Sequence, residues 1–152
     1  MSTINPLNLF GRSVALVDGD LLVVDGALQL VAGNDNFAQA LRVLIGTPFG
    51  SDPVNVGYGL DVAAIFQVAG SVRSIKETIR LNLVKSLALD DRVRSIDDVV
   101  FDDEPGFAAL EPGLGGADPG TTARRSRVWH ALVSFSTVAG DRLQINVSGA
   151  AT

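Results

Sequence analysis

Cysteine is absent from the 152-residue chain, which excludes disulfides, thiolate metal ligands and a cysteine nucleophile. Histidine occurs once, at His130, on the polar side of an alternating segment. That position sets it toward solvent, and no Ser-His-Asp relay can be built on it. No run approaches the ~18 apolar residues of a membrane span. Residues 1–12 show no charged start followed by an apolar stretch, so cytoplasmic synthesis and assembly without membrane insertion are expected. A basic excess is missing too: 12 Lys and Arg stand against 17 Asp and Glu, a net charge of −5. That balance opposes binding to a phosphate backbone and argues against nucleic acid as a partner.

What is present reads as one globular domain over residues 1–152, with 47% apolar and 19% charged residues. Seven Phe, one Trp and one Tyr leave the core mainly aliphatic. The mean hydropathy of +0.30 hints at aliphatic surface buried against partners. Residues 13–18, 21–25 and 27–31 are short Val/Leu runs, separated by Gly19-Asp20 and Gly26, and predict strands joined by tight turns. Asn34 or Asp35 can cap a helix that places Phe37, Leu41, Leu44 and Ile45 on one face and stops at Gly46-Thr47-Pro48. Gly50, Gly57 and Gly59 mark a shaped loop, followed by a short helical turn at 60–67. Ser71 caps the strongest helix, with Val72, Ile75, Ile79, Leu83 and Leu87 at spacings of three and four.

Beyond Asp90-Asp91-Arg92, residues 93–101 are β-rich, and 102–124, crowded with Gly, Pro and acids, predicts a long exposed loop. Residues 128–138 alternate, with Trp129, Ala131, Val133 and Phe135 on the buried side. After a turn at Ala139-Gly140-Asp141, Leu143, Ile145 and Val147 alternate with Gln144, Asn146 and Ser148 in a last strand near a sheet edge. Strands, helices, then strands imply an α+β fold: a mainly antiparallel sheet packed by two main helices. No internal repeat is evident.

Motifs for chemistry are few. Gly57-Tyr58-Gly59 begins a dinucleotide-like pattern without its third glycine or a preceding strand, and residues 113–120 lack the lysine of a phosphate loop. Asp97, Asp98, Asp102, Asp103 and Glu104 could supply paired carboxylates for glycoside hydrolysis, but they read more simply as solvated strand ends. Their spacing is not that of a calcium loop. Arg124, Arg125 and Arg127 follow across the long loop, which suggests mutual neutralisation or a charged docking surface. No metal, cofactor or catalytic residue is expected.

One series carries a resemblance. A helix ending in Leu41-Arg42-Val43-Leu44-Ile45-Gly46-Thr47-Pro48-Phe49-Gly50, then Gly57-Tyr58-Gly59-Leu60-Asp61, a second helix, and Asp90-Asp91-Arg92-Val93 together resemble the gene-25-like baseplate wedge family. That family belongs to contractile phage tails, and its relatives initiate the sheath in injection systems. The likeness spans roughly residues 34–103. Where the family has Glu-Pro-Arg, this chain has Asp90, Asp91 and Arg92, keeping the arginine and lacking the proline.

The resemblance implies a structural protein of a phage tail-like particle whose partners are baseplate wedge proteins, the sheath protein and an inner tube or hub protein. It implies wedge docking at Asp90, Asp91 and Arg92. The alternative for Arg92 is an intramolecular salt bridge closing the helix end. Gly50, Gly57, Tyr58 and Gly59 would shape the adjoining loop. Strand addition to the sheath is expected through Leu143, Gln144, Ile145, Asn146, Val147 and Ser148, so deleting residues 143–152 should abolish sheath recruitment and spare wedge binding. Two rival readings are a peptidoglycan-hydrolysing tail lysozyme and a stand-alone adaptor of the same fold. The lysozyme reading has only Glu77, Glu104 and Glu111 to draw on for glutamate.

Overall fold

The structure, a computed structural model, describes residues 6–61, 71–110 and 128–150. A five-residue helix, α1 (Pro6–Phe10), buries Phe10 and leads into six very short strands. These are β1 (Arg12–Val14), β2 (Leu16–Val17), β3 (Asp20–Leu21), β4 (Val23–Val24), β5 (Ala27–Leu28) and β6 (Leu30–Ala32). They pair antiparallel as β1 with β6, β2 with β3, and β4 with β5.

Asp18-Gly19 and Asp25-Gly26 close the two hairpins, each with successive positive φ angles, 52° and 85°, then 51° and 77°. Two positive φ angles define the hairpin turn whose twist matches its strands. Between the arms, the Ala15 N–H donates to the Gln29 carbonyl (2.8 Å), Leu22 N–H to Ala15 (2.9 Å) and Gln29 N–H to Leu22 (2.9 Å), a closed ring. The result is a three-way junction of short arms. The turns lie one residue earlier than the sequence suggested. Residues 24–28 also repeat the Val-Asp-Gly-x-Leu pattern of 17–21, so the chain does contain a short internal repeat.

Helix α2 (Gly33–Gly46) buries Phe37, Leu41, Leu44 and Ile45, the expected stripe. Its cap is not Asn34 or Asp35. The helix begins at Gly33, whose φ of +62° only glycine adopts readily, and Ala32 occupies the cap without a side-chain bond. Asn34 instead donates to the Asp141 carboxylate at 3.1 Å. Asn36 and Gln39 tie α2 to the junction: the Asn36 amide donates to the Phe10 carbonyl (2.7 Å), and Gln39 accepts from Leu16 N–H (2.8 Å) while donating to the Val14 carbonyl (2.9 Å).

Helix α3 (Val72–Leu87) is capped by Ser71, whose hydroxyl accepts from Ser74 N–H at 3.3 Å. Its stripe of Ile79, Leu83 and Leu87 is buried, each side chain contributing about 1.5–3 kcal/mol of burial. β7 (Val93–Phe101), β8 (Val128–Thr137) and β9 (Arg142–Ala150) form an antiparallel meander in the order β7-β8-β9. One face of it, with Val99, Phe101, Ala131, Val133, Phe135, Ile145 and Val147, joins both helices in the core.

Register shifts in β7 between Val93 and Ser95 and between Ile96 and Asp98 re-phase the strand, so Val93, Ile96, Val99 and Phe101 all reach that core. On the opposite face, α4 (Phe107–Leu110) seats Phe107 against Val100 and Leu132. The first part of the expected loop therefore carries a buried anchor. The rest of that loop, with Glu111, Arg124, Arg125 and Arg127, and most of the turn expected at 60–67 lie outside the described residues.

Candidate functional site

The loop after α2 is pinned at a narrow neck. Leu60 N–H donates to the Thr47 carbonyl (2.8 Å) and Phe49 N–H to the Leu60 carbonyl (2.9 Å), so residues 49–59 leave and return at one point. Gly59 sits in that neck with φ +111°, and a Cβ there would stand 2.4 Å from the Thr47 carbonyl oxygen. The Ser86 hydroxyl of α3 donates to the Gly59 carbonyl at 3.1 Å and holds the neck to the helix. Gly50 also requires a positive φ of +77°, whereas Gly57 lies outside the left-handed region. Asp52 accepts from Val54 and Asn55 N–H, which turns the chain and leaves Val54 and Val56 exposed.

Where α3 ends, the Asp90 N–H donates to the Leu87 carbonyl and the Val93 N–H to the Asp90 carbonyl. This tight turn brings Asp90 and Arg92 together. Asp90 accepts from Arg92 three times: backbone N–H at 3.0 Å, Nε at 2.9 Å and Nη2 at 2.7 Å. The guanidinium lies 4.6 Å over the buried Phe37 ring, and Phe10 stacks on the same ring at 4.6 Å. Two groups stacked that closely must take opposite faces of the ring. Arg92 thus makes the intramolecular helix-closing bridge, while Asp91 is exposed.

Burial alone would raise the Asp90 carboxyl, but hydrogen bonds from the Arg92 side chain and backbone, with the guanidinium charge, hold it below its ordinary 3.8. The hydrogen bond to Asp90 raises Arg92. Burial and the neighbouring Asp90 charge raise Tyr58.

Since the folded-state carboxyl of Asp90 lies below its unfolded value, the unfolded chain takes up the proton first. Its stabilisation is complete above 3.8 and is lost as pH falls through the depressed value. Melts from about pH 6 to about pH 3 should show a shallower decline for Asp90→Asn than for the native chain. At neutral pH, Arg92→Ala should lose about 2 kcal/mol and Arg92→Lys about half of that, because lysine keeps the charge but not the fork. Equal melting of all three proteins would refute this account.

A groove of about 670 Å³ opens at this corner, lined by residues including Ala40, Leu44, Tyr58, Leu89, Asp91 and Arg92. The fold therefore brings the loop and the turn at Asp90–Arg92, distant in sequence, onto one surface. Its lining mixes apolar Ala40, Leu44 and Leu89 with polar Asn55, Ser86, Asp90, Asp91 and Arg92. Among the described residues no group of three or more His, Asp or Glu is placed to hold a metal, and no helix is long and apolar enough to cross a membrane.

The six residues proposed for strand pairing form a separate surface. In β9, Ile145 and Val147 are buried and Leu143 half-buried, with Gln144, Asn146 and Ser148 outward. β9 pairs with β8 and with no other described strand. The acidic residues after α3 are dispersed. Asp97 accepts from Ser136, and Arg80 lies between two glutamates, donating to Glu77 (2.5 Å) and Glu104 (2.7 Å). The second oxygen of Glu104 accepts from Phe101 N–H at 2.9 Å. His130 is exposed at the strand end. Sequence reasoning missed Phe37 as the platform under Arg92 and Arg80 as the hub of the glutamates. An aromatic in a helical stripe signals core, and nothing local marks the cation above it.

No protein-family model matches the chain, and no curated protein matches its sequence. Among solved structures, the α+β fold is shared with a tail-associated protein. This is a Geobacter sulfurreducens protein provisionally named a tail lysozyme, with a crystal structure at 1.44 Å; the two align with a TM-score of 0.55 at 15% identity, over 83% of this chain and 97% of that one.

Proposed function

We propose that the chain is a structural baseplate component of a contractile tail or injection system, joining the wedge to the first sheath ring and initiating the sheath by strand addition. The observation that carries this reading is β9, at the edge of the described β7-β8-β9 sheet, whose inner side chains Ile145 and Val147 are locked in the core while Gln144 and Ser148 are exposed. Main-chain pairing along such an edge gives affinity, and the alternating side chains set register. The groove lined in part by Asp91 is the wedge side, and an inner tube or hub protein is a further partner.

The test is Gln144→Lys with Ser148→Lys, two exposed positions where lysine opposes sheet extension. Melting should stay within a few degrees of native, wedge binding should persist, and particles should assemble without sheath. Sheath of normal length on such particles would sink the proposal.

The neighbour's name raises peptidoglycan hydrolysis, but a non-catalytic role fits this chain better. Both described glutamates are engaged by Arg80 in ion pairs, Glu104 also accepts from the Phe101 N–H, and neither lines the corner groove. Cell-wall lysis that disappears in Glu104→Gln would reverse this choice.

A further inference from the structure

The N-terminal junction exposes aliphatic side chains on both faces, Val17 and Val24 on one and a larger group on the other. Side chains alternate along each strand and cross-strand partners share a face. The register therefore places Val14 with Leu30, Leu16 with Leu21, and Val23 with Leu28 on one face around the Ala15, Leu22 and Gln29 ring. These six are aliphatic, with the Arg12–Ala32 pair next along the same face. Leu21, Val23, Leu28 and Leu30 are 53, 54, 53 and 63% exposed, and no residue from Arg12 to Ala32 is buried. Isolated exposed aliphatics are ordinary, whereas a continuous face of them marks an interaction site.

Charge narrows the occupant. Asp18 and Asp25 stand at the tips of the two hairpin arms with Asp20 beside the first, and Arg12 is the only cation in residues 11–32. None of the three acids forms an ion pair with a described residue. The ring of main-chain bonds and the Asn36 and Gln39 clamps hold the arms in place before any partner arrives, which lowers the ordering cost of binding.

We propose that this face docks a partner protein whose own apolar surface is bordered by Lys or Arg side chains that meet Asp18 and Asp25. A second copy of the chain would set like charges tip to tip, and an anionic membrane would repel the same acids.

The test places a photo-crosslinking benzoylphenylalanine at Val23 or Leu28 of the full-length chain in its source cells. The expected result is one dominant adduct with a different protein, mapped to an aliphatic patch flanked by Lys or Arg. The yield should fall about tenfold when Asp18→Lys and Asp25→Lys are combined. Val23→Glu should leave the melting temperature within about 3 °C of native. Adducts with another copy, with lipid or within the same chain would overturn the proposal. So would the absence of any adduct, a yield indifferent to charge reversal, or a larger drop in melting temperature for Val23→Glu.

Discussion

Replacing Gly59 with alanine is expected to cost about 3 kcal/mol or more and to collapse the corner groove. The methyl carbon would stand 2.4 Å from the Thr47 carbonyl oxygen and 2.9 Å from the Phe49 nitrogen, both main-chain atoms that cannot swing away like a side-chain end. Its φ of +111° adds strain for any residue with a Cβ. Relief requires parting Thr47 and Phe49 from Leu60, which breaks both neck hydrogen bonds and shifts the Gly59 carbonyl from Ser86. Gly57→Ala is the control, with its nearest contact at 3.7 Å, and should change stability by less than about 0.5 kcal/mol. Denaturant midpoints that coincide for the two variants would show that the neck yields more easily than its geometry implies.

Removing residues from Leu143 onward is expected to abolish folding, not merely one binding function. The deletion takes away Ile145 and Val147 from the core, half-buried Leu143, and the strand against which α2 packs. Burial of those three side chains contributes about 5–8 kcal/mol, comparable with the whole net stability of a small domain, about 5–15 kcal/mol. Such a truncation therefore reports on folding and leaves wedge docking and sheath recruitment unseparated. Circular dichroism of the truncated chain should show no cooperative transition; a cooperative melt would mean that β7, β8 and the helices form a self-sufficient core. The paired lysine substitutions separate folding from recruitment because both positions are exposed.

Elements with one uninterrupted period were legible in the sequence. The stripe through Phe37, Leu41 and Leu44, the run Ile79, Leu83, Leu87, and the alternation of β8 and β9 all reappear as drawn. β7 was not legible in detail, because its two register shifts space the core residues Val93, Ile96 and Val99 by three, a period that mimics a helix. The junction was missed because its strands bend at Ala15, Leu22 and Gln29, and each half pairs with a different neighbour.

At the candidate site, Asp90, Arg92 and Tyr58 were legible individually. Their convergence on Phe37 and Leu44 arises from packing that no local pattern encodes. Phe107 was hidden inside a stretch whose Gly, Pro and acidic content reads as loop. Its burial depends on the second face of the sheet.

β9 meets β8 through nine consecutive partner pairs, from Val128 with Ala150 to Ser136 with Arg142, without interruption. A tug along the strand axis strains the whole row together, whereas a sideways tug at Ala150 undoes it one rung at a time, like a zip. Under the sheath-joining role proposed for β9, direction of load then matters as much as binding strength. The same ladder is stiff to axial shear and weak to peeling from its Ala150 end.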